Sequence, residues 1–209
     1  MADDVIERLR SVGAILTNDH LVYTSGKHGS VYVNKDAMYP HVRETSDVCA
    51  EFAHRAAEFD IEAVVGPAHG GIILAQWTAY HLSRLLGRDV LALYAEKADD
   101  TLVLRRGYDR LVHGKRVFVV EDIINTGGSA LKAVEAVRGA GGIVAAVGVL
   151  VNRSPDTVTS DTFGAPLIAL AEFPAEAFEA SDCPLCKEGR TINTNVGHGK
   201  KFLESKEQA

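Results

Sequence analysis

Short apolar runs that alternate with helical stretches constrain the fold of this chain most strongly. The runs lie at residues 61–66, 90–94, 115–120 and 143–151, with a shorter one at 167–170. Continuous apolar runs of this length are typical of strands that are buried on both faces of a parallel sheet. Helices are predicted over 44–59, from the glycine loop at 67–71 to about residue 86, and over 130–138. We therefore expect an α/β protein with a mainly parallel, doubly wound sheet.

The two ends of the chain have a different pattern. Apolar positions at helical spacing predict a short helix over 3–12, and short apolar runs between turn residues predict two or three short strands within 14–39. From residue 180 the periodicity is lost, so we expect this tail to lie over the surface or a partner subunit, with its last few residues disordered. We predict one domain over 1–209, with a small N-terminal hood (1–40), an α/β core (41–170) and a C-terminal extension (171–209).

Charge and cysteine content narrow the classes of partner. The 22 basic and 28 acidic residues give a net charge of −6, whereas nucleic-acid and membrane surfaces favour a basic face. No apolar run approaches the ~18 residues of a membrane span, and the N-terminus is acidic where a signal peptide would be basic. The chain has three cysteines, and this small, odd number does not suit the disulfide framework of a secreted protein. We expect a cytoplasmic protein that binds neither nucleic acid nor membrane, although a local pocket for an anion is compatible with this charge.

The strongest sign of chemistry follows the apolar run that ends at residue 120. Two adjacent carboxylates, Glu121 and Asp122, stand where this strand ends, and a turn of small and hydroxyl residues at 125–129 then opens a helix. Ligands of open parallel sheets bind at this edge, and such a turn at a helix N-terminus can hold a phosphate. The carboxylates can accept hydrogen bonds from sugar hydroxyls or hold a hydrated divalent cation. The segment predicts a site for a phosphorylated sugar, and the alternative is an ordinary connection in which Asn125 and Ser129 only cap the helix.

This segment resembles the phosphoribosyl pyrophosphate (PRPP) signature of the type I phosphoribosyltransferases: two acidic residues, two aliphatic residues and a Thr-Gly-Gly-Ser loop. The resemblance implies the sheet typical of that family. It implies that Glu121 and Asp122 hold the ribose hydroxyls. It also implies that the 5′-phosphate is held by the loop residues Asn125, Thr126, Gly127, Gly128 and Ser129.

Other segments resemble the orotate phosphoribosyltransferases within that family. The stretches 24–28 and 32–35 resemble their N-terminal hood, which implies that Lys27 binds substrate. The loop at 66–71 resembles their pyrophosphate-binding loop and implies substrate contacts at Ala68, His69 and Gly70, with Gly70 where many members have lysine. Arg153, after the strand 144–151, is similar to the arginine that binds the orotate carboxylate.

The polar segment 96–114 is predicted to form a hairpin or a mobile loop, and part of it resembles the mobile catalytic loop of these enzymes. The resemblance implies that Lys97, Arg105 and Arg106 are catalytic together with Asp122. A segment of this kind can act as a lid that excludes water and brings cations to a departing pyrophosphate.

The implied reaction converts PRPP and orotate into orotidine 5′-monophosphate and pyrophosphate, a step of pyrimidine nucleotide biosynthesis. The implied cofactor is Mg²⁺, bound mainly through PRPP and water with no protein ligand assigned, and the implied assembly is a homodimer in which one subunit's loop completes the other's site. A purine or another base remains an alternative because Gly70 and Asn125 depart from the common pattern. A PRPP-binding regulator without catalysis is a second alternative, against which the lack of a basic face counts.

The pair Cys183 and Cys186 forms half of a zinc-site pattern. A complete site needs further ligands, but Cys49 lies in a predicted helix and His198 is the only imidazole nearby in the sequence. A redox Cys-x-x-Cys pair begins a helix in a thioredoxin-like unit, which is not predicted here. The sequence therefore favours two reduced cysteines in a surface turn.

Overall fold

The computed structural model describes residues 2–23, 25–174 and 176–207. Thr24, which belongs to the hood motif, and the last two residues, for which disorder was expected, lie outside the described residues. Among the described residues, no helix combines the length and the apolar character needed to cross a membrane.

The N-terminal part consists of one helix and very short strands, as the spacing of its turn residues dictates. Helix α1 (Ala2–Ser11) is followed by β1 (Ile15–Leu16), β2 (Leu21–Val22), β3 (His28–Gly29) and β4 (Tyr32–Val33). Strand β1 pairs with β4, and β2 pairs with β3, both antiparallel. We call residues 20–23 and 25–29, which contain β2 and β3, the hood hairpin.

The centre of the molecule is a six-stranded sheet in the order β10-β9-β8-β5-β6-β7. Its strands are β5 (Ala63–Pro67), β6 (Leu91–Ala98), β7 (Thr101–Val103), β8 (Arg116–Ile124), β9 (Ile143–Asn152) and β10 (Leu167–Glu172). All neighbouring strands are parallel except β6 and β7, which form an antiparallel hairpin. The predicted mainly parallel sheet is thus confirmed, and the segment 96–114 begins as a hairpin.

Helices cover both faces of this sheet because successive strand residues point to opposite sides. They are α2 (Val42–Ala56), α3 (Gly70–Leu86), α4 (Tyr108–Val112), α5 (Gly128–Gly139) and α6 (Ser160–Phe163). Val64 and Phe118 pack in one core cluster with residues of α2 and α3. Their neighbours Val65 and Val119 pack in a second cluster with residues of α5. Hence the doubly wound arrangement follows from apolar runs that face a core on each side.

The C-terminal extension contains two helices that the loss of periodicity did not predict, α7 (Pro184–Lys187) and α8 (Gly199–Glu207). It folds back over the hood hairpin. Backbone hydrogen bonds join His28 to Phe178 in both directions at 2.7 and 2.8 Å, and the Asn193 and His198 N–H groups donate to the His20 and Val22 carbonyls at 2.7 and 2.8 Å. The hood and the end of the chain therefore support each other, although they lie at least 150 residues apart in the sequence.

Candidate active site

The acidic pair lies at the carboxyl end of β8, in the middle of the sheet. Glu121 and Asp122 are 5% and 4% exposed. Asp122 Oδ2 accepts a hydrogen bond from the Tyr39 hydroxyl at 2.9 Å and an ion pair from Lys35 Nζ at 2.8 Å. Asp122 Oδ1 accepts the Ile123 N–H at 2.8 Å. This carboxylate is consequently held in one orientation from two sides.

Sequence reasoning did not select Lys35 and Tyr39 as site residues. Lys35 follows the aromatic strand of the hood motif, which was the available signal, whereas nothing local marks Tyr39. Burial acts to lower the pKa of Lys35, but its hydrogen bond and ion pair with Asp122 raise it overall. Burial and the charge of Asp122 raise the pKa of Tyr39, so its hydroxyl stays a donor. Together they place a positive charge and a hydrogen-bond donor beside the carboxylates.

The carboxylate of Glu121 has fewer hydrogen-bond and ion-pair partners than that of Asp122. Its Oε1 accepts the Asp122 N–H at 3.0 Å, while Oε2 is buried without a hydrogen-bond partner in the described part of the chain. Burial, and then the charge of Asp122, raise the pKa of Glu121 from 4.5 to about 7, although the nearby Ser129 hydroxyl, the Asp122 N–H and Lys35 act to lower it. A buried acceptor without a donor costs free energy, so its oxygen is ready to accept a ligand hydroxyl.

A stability measurement can test this cost. Folding raises the pKa of Glu121, so its contribution to stability is greatest below pH 4.5 and is lost as the pH rises through about 7. We expect Glu121→Gln to raise the melting temperature at pH 8 by about 2–4 °C, roughly 1 kcal/mol for a chain of this size. The difference from wild type should shrink towards pH 4.5 when melting is followed by circular dichroism.

Glu62 provides the matched control for this prediction. The Arg116 N–H first, and Lys115 as well, lower the pKa of Glu62 despite some desolvation. Its charge therefore stabilises the fold above the ordinary pKa, and Glu62→Gln should lower the melting temperature at pH 8. A Glu121→Gln variant that melts below wild type at pH 8 would contradict the assigned sign.

The loop at 125–129 joins β8 to α5 and leaves the first turn of that helix facing outward. Gly127 precedes the helix with φ +78, a left-handed conformation that suits glycine, and a Cβ there would also press on Val158. The residue before α5 is Gly127, and no side-chain hydrogen bond to the start of this helix is found among the described residues. The first N–H groups of α5 can therefore bind a phosphate.

The loop between β5 and α3 closes another side of the site. Ala68 and His69 are exposed, and Gly70 is buried against the acidic pair. A Cβ at Gly70 would overlap both Asp122 Oδ2 and the Tyr39 hydroxyl. Glycine is thus required here by the contact between Tyr39 and Asp122, which gives a physical reason for its departure from lysine.

Arg153 faces the acidic pair across a cavity of about 720 Å³. Its guanidinium carbon lies 5.2 Å from the centre of the Tyr23 ring, and its Nε is buried without a hydrogen-bond partner among the described residues. The backbone that carries it is fixed, since Arg153 N–H donates to Ile124 O at 2.9 Å. The lining comes from the hood, the strand ends and the extension: Tyr23, Ser25, Tyr32, Val33, Lys35, Glu121, Asp122, Ile123, Asn125, Ser129, Arg153, Ser154, Ala177, Gly197 and His198.

Four of the predicted cations do not line this cavity. Lys97, Arg105 and Arg106 are exposed on the β6–β7 hairpin and the turn after it, where Arg106 pairs with Glu96 at 2.9 Å. Lys27 forms an ion pair with Glu179 of the C-terminal extension at 3.2 Å. Within one chain, then, the structure brings together the acidic pair, part of the phosphate loop and Arg153, with Gly70 against Asp122, and leaves these four cations apart.

A central parallel sheet with carboxylates, a glycine turn and an arginine at one edge is typical of proteins that bind a phosphorylated, anionic ligand. The family model of the phosphoribosyl transferase domain matches residues 43–164. The chain is 39% identical over 187 residues to the orotate phosphoribosyltransferase of Pelotomaculum thermopropionicum, covering 90% of this chain and 93% of that protein. It is 36% identical over 186 residues to that of Caldanaerobacter subterraneus, covering 89% and 90%.

A solved structure gives the same result. The orotate phosphoribosyltransferase of Mycobacterium tuberculosis in complex with PRPP matches with a TM-score of 0.63 at 25% identity, covering 82% of this chain and 95% of that one. The chain belongs to the phosphoribosyltransferase family and, within it, to the orotate phosphoribosyltransferases. The resemblance inferred from the sequence is confirmed.

Proposed function

We propose that this chain transfers the phosphoribosyl group of PRPP to orotate through the cavity between the acidic pair and Arg153. The proposal rests on one observation: the acidic pair and Arg153 line the same cavity of about 720 Å³. Carboxylates and a glycine turn suit a ribose phosphate, and a partly buried guanidinium suits a planar carboxylate. A family in which orotate is the named substrate supports the same pairing.

The ribose phosphate lies along the end of β8 in this proposal. Glu121 Oε2, which lacks a donor within the described residues, accepts one ribose hydroxyl, and Asp122 accepts the other. The 5′-phosphate binds the turn of Asn125, Thr126, Gly127, Gly128 and Ser129, where the first N–H groups of α5 point outward. Pyrophosphate extends towards Ala68, His69 and Gly70, whose loop contacts Asp122 through Gly70.

Orotate binds on the opposite side. The guanidinium of Arg153 forms two parallel hydrogen bonds to the carboxylate, and the ring of Tyr23 holds the guanidinium in place. Lys35 lines the same cavity and pairs with Asp122, so its ammonium offsets part of the charge of the two anionic substrates. An overall charge of −6 makes such local cations necessary for anion binding.

In the reaction, a pyrimidine nitrogen forms a bond to the anomeric carbon while the bond to pyrophosphate breaks. Pyrophosphate leaves with the electron pair of the broken bond, and the proton of the nitrogen passes to pyrophosphate or to water. The transition state resembles an oxocarbenium ion, so the enzyme acts chiefly by stabilising the departing charge and excluding water. We assign stabilisation of pyrophosphate to Lys97, Arg105 and Arg106 on the β6–β7 hairpin and the turn after it, with Asp122 as the group that positions the ribose.

Mg²⁺ fits this donor set because it prefers carboxylate and phosphate oxygens and keeps part of its water. The ion would be held through its water molecules by two side chains, with Oε2 of Glu121 and the carboxylate oxygens of Asp122 accepting hydrogen bonds from that water. When bound with PRPP, Mg²⁺ offsets the negative charge of the pyrophosphate.

The assembly that completes the site is a homodimer in this proposal. Lys97 is exposed and outside the cavity of its own chain, which supports delivery of the hairpin to a neighbouring subunit. The N-terminal hood, the core and the C-terminal extension act together as one domain. The three free cysteines support a location in the reducing cytoplasm.

Pyrophosphate release tests the proposed function. The protein is mixed with PRPP, Mg²⁺ and, in separate reactions, orotate, adenine, guanine or hypoxanthine, and pyrophosphate is measured by a coupled assay. We expect release with orotate alone. Release with only a purine would overturn the choice of base, and PRPP binding without release for any base would favour the regulator.

A further inference from the structure

Two histidines and two cysteines meet where the C-terminal extension covers the hood hairpin, outside the residues that the proposed reaction uses. They are His20 and His28 of the hood hairpin and Cys183 and Cys186 of the C-terminal extension. One ligand atom from each lies within 4.8 Å of all the others. His20, His28 and Cys183 are at most 1% exposed, and Cys186 is partly buried. The surface turn expected for the cysteines is therefore wrong for Cys183.

The distances suit one small tetrahedral ion. Cys186 Sγ lies 3.3 Å from His28 Nδ1 and 3.6 Å from His20 Nε2, and Cys183 Sγ lies 3.7 Å from His20 Nε2. The two imidazole nitrogens are 2.9 Å apart. Zn–S bonds of about 2.3 Å and Zn–N bonds of about 2.0–2.1 Å in a tetrahedron put ligand atoms about 3.3–3.8 Å apart. Of these four distances, the three between sulfur and nitrogen already match that range, and the two imidazole nitrogens would have to separate slightly.

The surroundings of His20 orient it as a ligand. Its Nδ1 lies 2.7 Å from the Arg190 carbonyl oxygen, so Nδ1–H donates there and the lone pair of Nε2 points into the cluster. A backbone carbonyl on the far nitrogen of a metal-bound histidine is a common outer-shell arrangement. A disulfide or a redox cysteine pair does not require two imidazoles beside the sulfurs. Two thiolates and two imidazoles are, by contrast, a common ligand combination of structural zinc sites.

We infer that His20 Nε2, His28 Nδ1 and the thiolates of Cys183 and Cys186 bind one structural Zn²⁺. The ion joins the hood hairpin to the C-terminal extension and adds to the backbone hydrogen bonds, the Lys27–Glu179 ion pair and the His28–Phe202 ring contact between them. The hairpin carries Tyr23, which lies against Arg153, and the extension supplies Gly197 to the cavity lining. Zinc thus fixes the side of the cavity that is proposed to bind orotate.

Metal analysis of the full chain, produced without a histidine tag, tests this inference directly. We expect about one zinc per chain after dialysis against metal-free buffer, measured by plasma mass spectrometry. Cys183→Ser should lose the bound zinc, because serine does not supply a thiolate. The matched control is Cys49→Ala, which removes the other buried cysteine, in α2, and should keep the full amount.

Cobalt gives a measurement that does not depend on how the variants fold. Zinc is removed from the wild-type protein with a chelator and Co²⁺ is added under reducing conditions. We expect intense visible absorption and a near-ultraviolet thiolate band, both removed by one equivalent of Zn²⁺. Chelated wild type should also be cut faster by protease within the C-terminal extension, and zinc should restore protection.

Any of the following results would overturn the inference: no stoichiometric zinc uptake by reduced wild-type protein, iron in place of zinc, or a Cys183–Cys186 disulfide in freshly isolated protein by mass spectrometry. Full zinc retention by folded Cys183→Ser would do the same. None of these measurements uses orotate or PRPP, so the zinc site and the proposed function can fail separately.

Discussion

Asp122→Asn is expected to reduce kcat/KM for PRPP by about 100- to 1,000-fold while the fold remains intact. The substitution keeps the shape of the side chain but removes its negative charge. That charge pairs with Lys35 at 2.8 Å, and the same carboxylate oxygen accepts a hydrogen bond from the Tyr39 hydroxyl at 2.9 Å. The substitution therefore disturbs both the proposed ribose contact and the local cation. Pyrophosphate release gives the rate, and circular dichroism with a melting curve checks the fold.

Asp161→Asn is the control for this experiment, because Asp161 is exposed on α6 and does not line the cavity. Its rate should equal that of wild type. Near-normal activity in Asp122→Asn would contradict the proposed ribose contact.

Mixing the Asp122→Asn variant with a Lys97→Ala variant tests the proposed dimer. If Lys97 acts in the neighbouring subunit, hybrid dimers should regain activity that neither variant has alone.

Arg153→Ala is expected to raise the KM for orotate by about 100-fold while the KM for PRPP changes little. A carboxylate in a partly buried site loses its bidentate partner, and the loss falls on the substrate that carries it. Arg153→Lys should recover only part of the affinity, since an ammonium keeps the charge but not the planar fork. Steady-state pyrophosphate release at varied orotate and at varied PRPP separates the two constants.

Arg88→Ala provides a matched loss of an arginine, because Arg88 forms a surface ion pair with Asp60 away from the cavity. Both KM values should stay at the wild-type level in this control. A rise confined to PRPP in Arg153→Ala would assign the guanidinium to the phosphoribosyl half of the site and would contradict the proposed orientation of the substrates.

Local sequence patterns predict the central strands of this molecule, but they do not predict contacts between distant segments. The strands β5, β8 and β9 were predicted because a strand buried on both faces is apolar along its length. Strand β6 was predicted to end at 94, but it runs to Ala98. Its last three residues, 96–98, pair with the partly exposed β7 and not with a buried strand. Polar residues there gave no strand signal.

Partners that meet across long sequence separations were missed. Lys35 and Tyr39 reach Asp122 from more than 80 residues away, and no local pattern marks such a contact. The cysteine pair looked incomplete for the same reason, since its histidines lie in the hood hairpin about 160 residues earlier. Lys27 and Arg106 are predicted site cations, and within one chain the structure pairs them with Glu179 and Glu96.

The sequence by itself determined the class of sheet, the acidic pair at a strand end and the glycine turn beside it, because each is a local pattern with a physical cause. Only the tertiary structure decided what those groups face. It placed Arg153 across the cavity, Gly70 against Asp122, and two histidines beside two cysteines. Such contacts depend on how distant segments pack, which neither the periodicity nor the composition of any one segment records.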